Sequence, residues 1–299
     1  MATDAVEAMG GLKFDPERLR RASLPEIRQS VSPEMAALYA LSIGLGQDPL
    51  DPGALQFVVA ADTMPCVPSF PLVVAYPGFW LGEAWTGTDA KRILHRGQRV
   101  EWFAPIPWRS ELIGRTRVTK LSDRGAGKGS VMHSERSIVD AASGLEVARV
   151  SQTHVLRGND GFGPVIARES EPVVAFDGAP AHVVESNTRP EQALLYRLNG
   201  DSNPLHWDPA VARAAGFERP ILHGMCTFGV ACHAILRATC DYEASRLRAV
   251  EMKFSAPVYP GDSLRTEIWN DGRFRVFAIE RGLWVATDGR FTLAAGNLD

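Results

Sequence analysis

The sequence lacks a charge excess of one sign, abundant cysteine and any long apolar run. Thirty-two basic against 35 acidic residues leave a net charge of −3 over 299 residues. That balance supplies no general basic field for gripping nucleic acid. No stretch approaches the roughly 20 apolar residues of a membrane helix, so neither a nucleic-acid nor a membrane partner is expected. The four cysteines, Cys66, Cys226, Cys232 and Cys240, form no C-x-x-C pair. A zinc knuckle or thioredoxin-type redox site is therefore not expected, and the thiols read as buried, reduced packing residues. The acidic start, Met1 to Glu7, carries no apolar core, so no secretory signal is expected. Gly296-Asn-Leu-Asp is not a peroxisomal tripeptide address, which makes the cytoplasm the expected location.

What is present is core material for two domains or one doubled domain, with 45% hydrophobic and 22% charged residues. Strand-like runs dominate: Arg99–Phe103, Ser130–Val139 and Leu145–Leu156, then Arg248–Phe254, Ser263–Trp269, Phe274–Glu280 and Trp284–Thr287. Short turns such as Ser143-Gly, Pro260-Gly-Asp and Asn270-Asp-Gly separate them, which indicates an antiparallel sheet. Helical stretches are few. Ser32 and Pro33 begin one, Arg189–Leu198 forms a second, and Asp208–Ala215 a third that closes on Gly216. The longest, from His223 to Ala238, is apolar nearly all round and is expected to be buried. One central helix wrapped by an antiparallel sheet satisfies both patterns.

The halves echo each other. Pro33-Glu-Met-Ala-Ala-Leu-Tyr matches Pro190-Glu-Gln-Ala-Leu-Leu-Tyr at an offset of 157, and Phe103-Ala-Pro-Ile-Pro matches Phe254-Ser-Ala-Pro-Val-Tyr-Pro at nearly the same spacing. Two matches in one order indicate an internal duplication. Arg157-Gly-Asn-Asp-Gly-Phe-Gly between them reads as a linker, placing the halves at 1–163 and 164–299. Its glycines do not follow the dinucleotide fingerprint.

The densest polar stretch, Tyr196-Arg-Leu-Asn-Gly-Asp-Ser-Asn-Pro-Leu-His-Trp-Asp-Pro209, sets Asp201, Asn203 and His206 on one Gly/Pro bend. A carboxylate and an imidazole converging on one water form an acid–base pair. The same residue types also cap their own backbone in ordinary turns, so spacing alone leaves both readings open. No nearby ligand set has convincing metal spacing, and no metal is expected. Pro220-Ile-Leu-His-Gly-Met then enters the apolar helix. Gly224 in its first turn either lets a ligand oxygen approach the unpaired N–H groups or merely permits tight packing.

The run Tyr196 to Pro209, followed by Pro220-Ile-Leu-His-Gly-Met-Cys-Thr-Phe-Gly, resembles the signature of the MaoC-like hydratase/dehydratase family, specifically its (R)-specific enoyl-CoA hydratase 2 group. Leu55–Phe70 and the linker resemble the two-repeat members, so the likeness spans nearly the whole chain. It implies an α+β double hot dog, each repeat a curved antiparallel sheet around a central helix. It implies reversible hydration of trans-2-enoyl-CoA to (R)-3-hydroxyacyl-CoA, with no cofactor beyond the coenzyme A of the acyl-CoA substrate, by a homodimer. Asp201 and His206 would be the catalytic dyad, Asn203 its support, and the Gly224 N–H the site for the thioester oxygen. Tyr196 and His223 are possible substrate contacts, with His223 capping or orienting the helix start and Trp207 walling the bend.

Aligning Tyr39 with Tyr196 sets Gly44 opposite Asp201 and Pro49 opposite His206, so one site per chain is expected. The first repeat becomes a degenerate scaffold and acyl-binding wall, in which Val67, Phe70, Val73 and Val74 either line a tunnel or form core. His95, His133, His154, His182 and His233 read as structural histidines. The competing activities are dehydration of a carrier-protein or specialised thioester, a silent acyl-CoA-binding subunit, and thioester hydrolysis.

Overall fold

A computed structural model describes residues 13–164 and 176–294. Ten strands form one antiparallel sheet. The first half supplies β1 (Ile27–Ser30), β2 (Ile93–Trp102), β3 (Glu111–Asp123), β4 (Ser130–Asp140) and β5 (Glu146–Leu156). The second supplies β6 (His182–Asn187), β7 (Leu247–Phe254), β8 (Ser263–Ile268), β9 (Arg273–Ala278) and β10 (Leu283–Leu293). Their order is β1-β3-β4-β5-β2-β7-β10-β9-β8-β6, so the halves join where β2 meets β7. There Gly97 faces Lys253 and Glu101 faces Ala249, and Arg99 pairs with Glu251 at 2.7 Å.

The expected strands all form. β3, the longest at 13 residues, is the main addition. Its Arg115, Arg117 and Lys120 disguise it, because they lie on the outer, solvated face while Leu121 turns inward. Alternation is cleanest in β4, where Met132, Ser134, Arg136 and Ile138 face in and the residues between them are only half-buried.

Local chemistry sets the helices. Ser32 Oγ accepts from Met35 N to start α1 of this sheet layer (Pro33–Ser42), with Pro33 at its first position. α2 (Gln192–Tyr196) is shorter than the matching sequence suggests. It tightens into a 3₁₀ turn over Arg197–Asn199 and stops at Gly200, whose φ of 104° is left-handed. Asp208 caps α3 (Pro209–Ala214) by accepting from Ala210 and Val211. α4 (Gly224–Cys240) runs 17 residues and buries all but a narrow strip against the sheet. Small residues let it pack closely. A β-carbon on Gly229 would sit 2.6 Å from Ile43 Cγ2 and 3.0 Å from Tyr39 Oη.

One core runs through both halves. Phe228, Val230 and Ile235 of α4 share it with Phe274, Val276 and Val285 of the second half and with Tyr39, Leu112 and Ile138 of the first. Val67, Phe70, Val73 and Val74 are buried in this same cluster. The equivalent helices α1 and α2 meet face to face. Gln192 Nε2 donates to the Ser42 carbonyl at 2.7 Å, Asn199 Nδ2 to Ser42 Oγ at 2.9 Å, and the Tyr39 and Tyr196 rings lie 6.1 Å apart. Burial pushes the Cys232 thiol up to about 12, and all four cysteines are free. The segment read as a linker is tied to the first half: Asp123 accepts from the Phe162 and Gly163 amides, and Asp160 from Gly129 N.

Candidate active site

Gly200 turns the chain out of the 3₁₀ segment and delivers Asp201 into the interior. Asn203 then caps a second 3₁₀ turn, Pro204–His206, by accepting from Leu205 N at 3.1 Å. The backbone N–H of Asn203 donates to Asp201 Oδ1 at 3.2 Å. Asn203 thus fixes the carboxylate through its main chain and the bend through its side chain. The turn brings His206 in behind it, and Asp201 and His206 are 8% and 9% exposed. Both readings of the bend hold at once: it bonds its own backbone, and it presents a buried acid–base pair.

The bend is fixed to the start of α4. His206 Nδ1–H donates to the Ile221 carbonyl at 2.9 Å, which leaves Nε2 as the nitrogen available to a substrate or water. His223 heads α4 but makes no side-chain cap. Its ring instead stacks on His206 at 3.8 Å between centroids, and its Nε2 donates to the Asp201 carbonyl at 3.3 Å. Of the two roles expected of His223, capping by its side chain is not formed, and the ring packs behind the Asp201–His206 pair instead. Tyr196 packs on His223 at 4.9 Å and is fully buried, with its hydroxyl lacking a partner among the described residues. Trp207 points outward at 41% exposure, and its Nε1–H donates to the Ser202 carbonyl.

Burial sets the electrostatics. It raises the Asp201 carboxyl, against the opposing pull of the His206 charge and the Asn203 N–H. It lowers the His206 imidazole, against the Asp201 charge and the Ile221 carbonyl. The two affinities for a proton are thus pushed toward each other. His223 is held well below the usual histidine range, by burial first and then by its neighbour His206. It stays neutral.

Asp201, His206 and His223 each offer one ligand atom within 4.8 Å of the others. The two imidazoles, however, lie face to face at 29° between planes. One nitrogen of each ring is already bonded to a carbonyl, which leaves one per ring.

Gly224 is the first residue of α4 and is half-buried among buried neighbours. Its N–H heads a long helix, where no helical carbonyl can accept from it. A β-carbon there would meet Phe254 Cζ at 3.4 Å and His95 Nδ1 at 3.5 Å. His95 is thus a site neighbour that local sequence did not reveal. It comes from β2 of the first half, stacks on His154 at 4.8 Å, and contacts Phe254 edge-on at 4.9 Å. Burial lowers its pKa to about 4, with the His206 charge a further contribution in that direction. Only the β2–β7 seam brings it to Gly224, across more than a hundred residues of chain. His133 and His233 stay structural, bonded near Thr153 and Tyr242.

Known proteins resemble this chain in sequence and fold. Residues 173–285 match the family model described as MaoC like domain, and residues 30–158 match the MFE-2 hydratase 2 N-terminal domain. An enoyl-CoA hydratase of Mycobacterium tuberculosis is 36% identical over 269 residues, covering 86% of this chain and 90% of that one. The peroxisomal enoyl-CoA hydratase 2 of Arabidopsis thaliana is 34% identical over 281 residues, covering 87% and 88%. The crystal structure of a MaoC-like dehydratase from Phytophthora capsici superposes with a TM-score of 0.78 at 27% identity, covering 95% of this chain and all of that one. A Mycobacterium tuberculosis protein described as a double hot dog superposes at 0.57 with 17% identity, over 90% of this chain and 93% of its own. Together with the buried Asp–His bend before a glycine-headed helix, these place the chain in the MaoC-like hydratase/dehydratase family, among the two-repeat members of enoyl-CoA hydratase 2 type.

Proposed function

We propose that the protein reversibly adds water across the double bond of a trans-2-enoyl-CoA to give an (R)-3-hydroxyacyl-CoA. The observation that carries this reading is the pairing of Asp201 and His206 on one buried bend tied by Ile221 to the start of α4. The thioester oxygen lies at the Gly224 N–H, where the helix end stabilises the negative charge that grows as the enolate forms. Water sits between the Asp201 carboxylate and His206 Nε2. Its oxygen bonds to the β-carbon as the pair takes one proton, and the same pair delivers a proton to the α-carbon. His206 keeps its tautomer throughout, because Nδ1–H stays on the Ile221 carbonyl. The step needs no redox group or metal. Coenzyme A enters as part of the substrate.

The first repeat, residues 1–163, serves in this proposal as scaffold and acyl wall, and residues 164–299 carry the chemistry. No helix among the described residues is long and apolar enough to cross a membrane. A homodimer working in the cytoplasm belongs to the same proposal, on the family's habit of associating sheets edge to edge.

The test follows the fall of enoyl-thioester absorbance with trans-2-enoyl-CoA substrates, for wild type and Asp201→Asn, with free thiol monitored in parallel. Wild type is expected to hydrate without thiol release, and the variant to lose at least about 100-fold in kcat/KM. Because burial raises the Asp201 carboxyl, its charge opposes folding at neutral pH, so Asn there is expected to hold or raise Tm. Thiol release in place of hydration would overturn the reading in favour of a thioesterase.

A further inference from the structure

Beside the head of α4, His95 carries a nitrogen that the protein itself leaves without a partner. Its Nε2 lies 3.1 Å from the Gly97 carbonyl. A carbonyl only accepts, so Nε2 holds the proton, and in the neutral ring Nδ1 is a bare acceptor. Among the described residues no group donates to it. The Gln98 amide close by is engaged elsewhere, its Nε2 on the Arg99 and Ser151 carbonyls and its Oε1 on Gln152 Nε2. His154 Nδ1, on the ring stacked against His95, is also unpartnered but is sealed in the interior, whereas His95 is half-buried.

The ring is firmly held. The β2–β5 register shifts between His95 and Gly97, a bulge of the kind that re-aims a side chain beside a site. The Nε2–H bond, the His154 stack and the Phe254 edge then fix its plane. Nδ1 lies 3.5 Å from the place a β-carbon on Gly224 would take. It is therefore within about 6 Å of the Gly224 nitrogen. Phe254 Cζ is 3.4 Å from the same point. A bare acceptor and the helix-end N–H thus share one short span, next to an aromatic ring. The acceptor cannot hold a thioester oxygen, so it calls for a donor on the substrate. A coenzyme A thioester has two near its carbonyl. One is the β-hydroxyl, which the reaction proposed above keeps at the dyad. The other is the amide N–H of the cysteamine arm, five bonds from the thioester oxygen and about 4–6 Å away. Two hydrogen bonds of ordinary length, lying side by side, bridge that same gap.

We propose that His95 reads the coenzyme arm: its Nδ1 accepts from the cysteamine amide N–H while the Gly224 N–H donates to the thioester oxygen, with the two methylenes between them against Phe254. The protein then selects thioesters that carry an amide N–H at this distance, whatever their acyl group. The inference deepens the hydratase reading and rests on its placement of the thioester at Gly224. No covalent bond changes at His95. It is a specificity-determining residue, supplied by the first half to the chemistry of the second.

The test compares one 2-enoyl group on coenzyme A and on a coenzyme A analogue that has an ester oxygen in place of that single N–H. Wild type is expected to show a kcat/KM at least about 10-fold lower for the analogue, mostly through KM because the arm does not react. His95→Phe keeps a ring in the stack and is expected to bring the natural thioester down to the level of the analogue. His95→Asn, whose Oδ1 stands close to the Nδ1 position, is expected to keep part of the difference. Should the Phe variant fail to fold, ¹⁵N-histidine spectra of wild type decide. The His95 Nδ1 resonance is expected to move on binding the saturated coenzyme A thioester and to stay in place with its ester analogue. Equal kcat/KM for the two thioesters in wild type, a difference that survives in His95→Phe, an equal loss on both, or an unmoved Nδ1 resonance overturns the proposal. Hydration of neither thioester, with calorimetry still separating the saturated pair in wild type but not in His95→Phe, would instead overturn the hydratase reading alone.

Discussion

In the second half a 17-residue helix beginning at Gly224 lies against the sheet. At the 157-residue offset Val67 takes that position in the first half, and the chain there makes only the 3₁₀ turn Phe70–Leu72. The sheets around them remain alike, with five strands from each half joined through β2 and β7. The comparison teaches that the sheet needs only some apolar filling, whereas the chemistry needs the helix. Without a long helix there is no row of aligned peptide dipoles ending at a thioester. Gly44 and Pro49 at the dyad positions supply neither carboxylate nor imidazole. The first half still reaches the site from its sheet, through His95 at the seam.

The largest test of this division uses acid. His95, His154, His206 and His223 cluster at the seam, and burial holds each below the ordinary histidine range, His95 at about 4. The unfolded chain takes up these protons first as pH falls. Their contribution to stability is therefore complete above about pH 6.5 and lost progressively toward pH 4. Urea unfolding across that range is expected to show stability falling by several kcal/mol, with quenching of hydration preceding global unfolding. A flat profile would mean that the rings are not held neutral by burial.

Gly229→Ala probes the contact between α4 and the first half. Its methyl would lie 2.6 Å from Ile43 Cγ2, so a loss of about 1–3 kcal/mol is expected in denaturant unfolding, with kcat nearly unchanged. The smallest effect is expected at Gly224→Ala. There the new methyl meets Phe254 and His95 at ordinary contact distances, so the fold should hold. It would stand where the thioester oxygen approaches, and a drop of about 10-fold in kcat/KM at unchanged Tm is expected. Unchanged kinetics would remove Gly224 from the oxyanion role and leave it a packing residue.

Much of this is legible in the sequence alone. The helix starts at Ser32, Asp208 and His223, and the strands with clean alternation, follow from caps and periodicities spanning fewer than about a dozen residues. The Asp201–His206 bend is equally local, because Gly200, Asn203 and Pro204 fix its path within a single turn. β3 was masked because its outer face carries the charges of a solvated strand. α2 is shorter than its echo of α1 suggests, because the matching pattern continues past Tyr196 while the chain itself turns at Gly200.

The sequence by itself determined the strand and helix pattern, the duplication, and the residues of the dyad bend. Tertiary structure alone decided which groups surround that bend: His223 stacked behind His206, Tyr196 against His223, and His95 against Gly224. The physical reason is range. Caps, turns and periodicities are enforced by neighbours in the chain, whereas these contacts join residues from 17 to 129 positions apart, the longest of them across the β2–β7 seam, and leave no periodic trace in either partner.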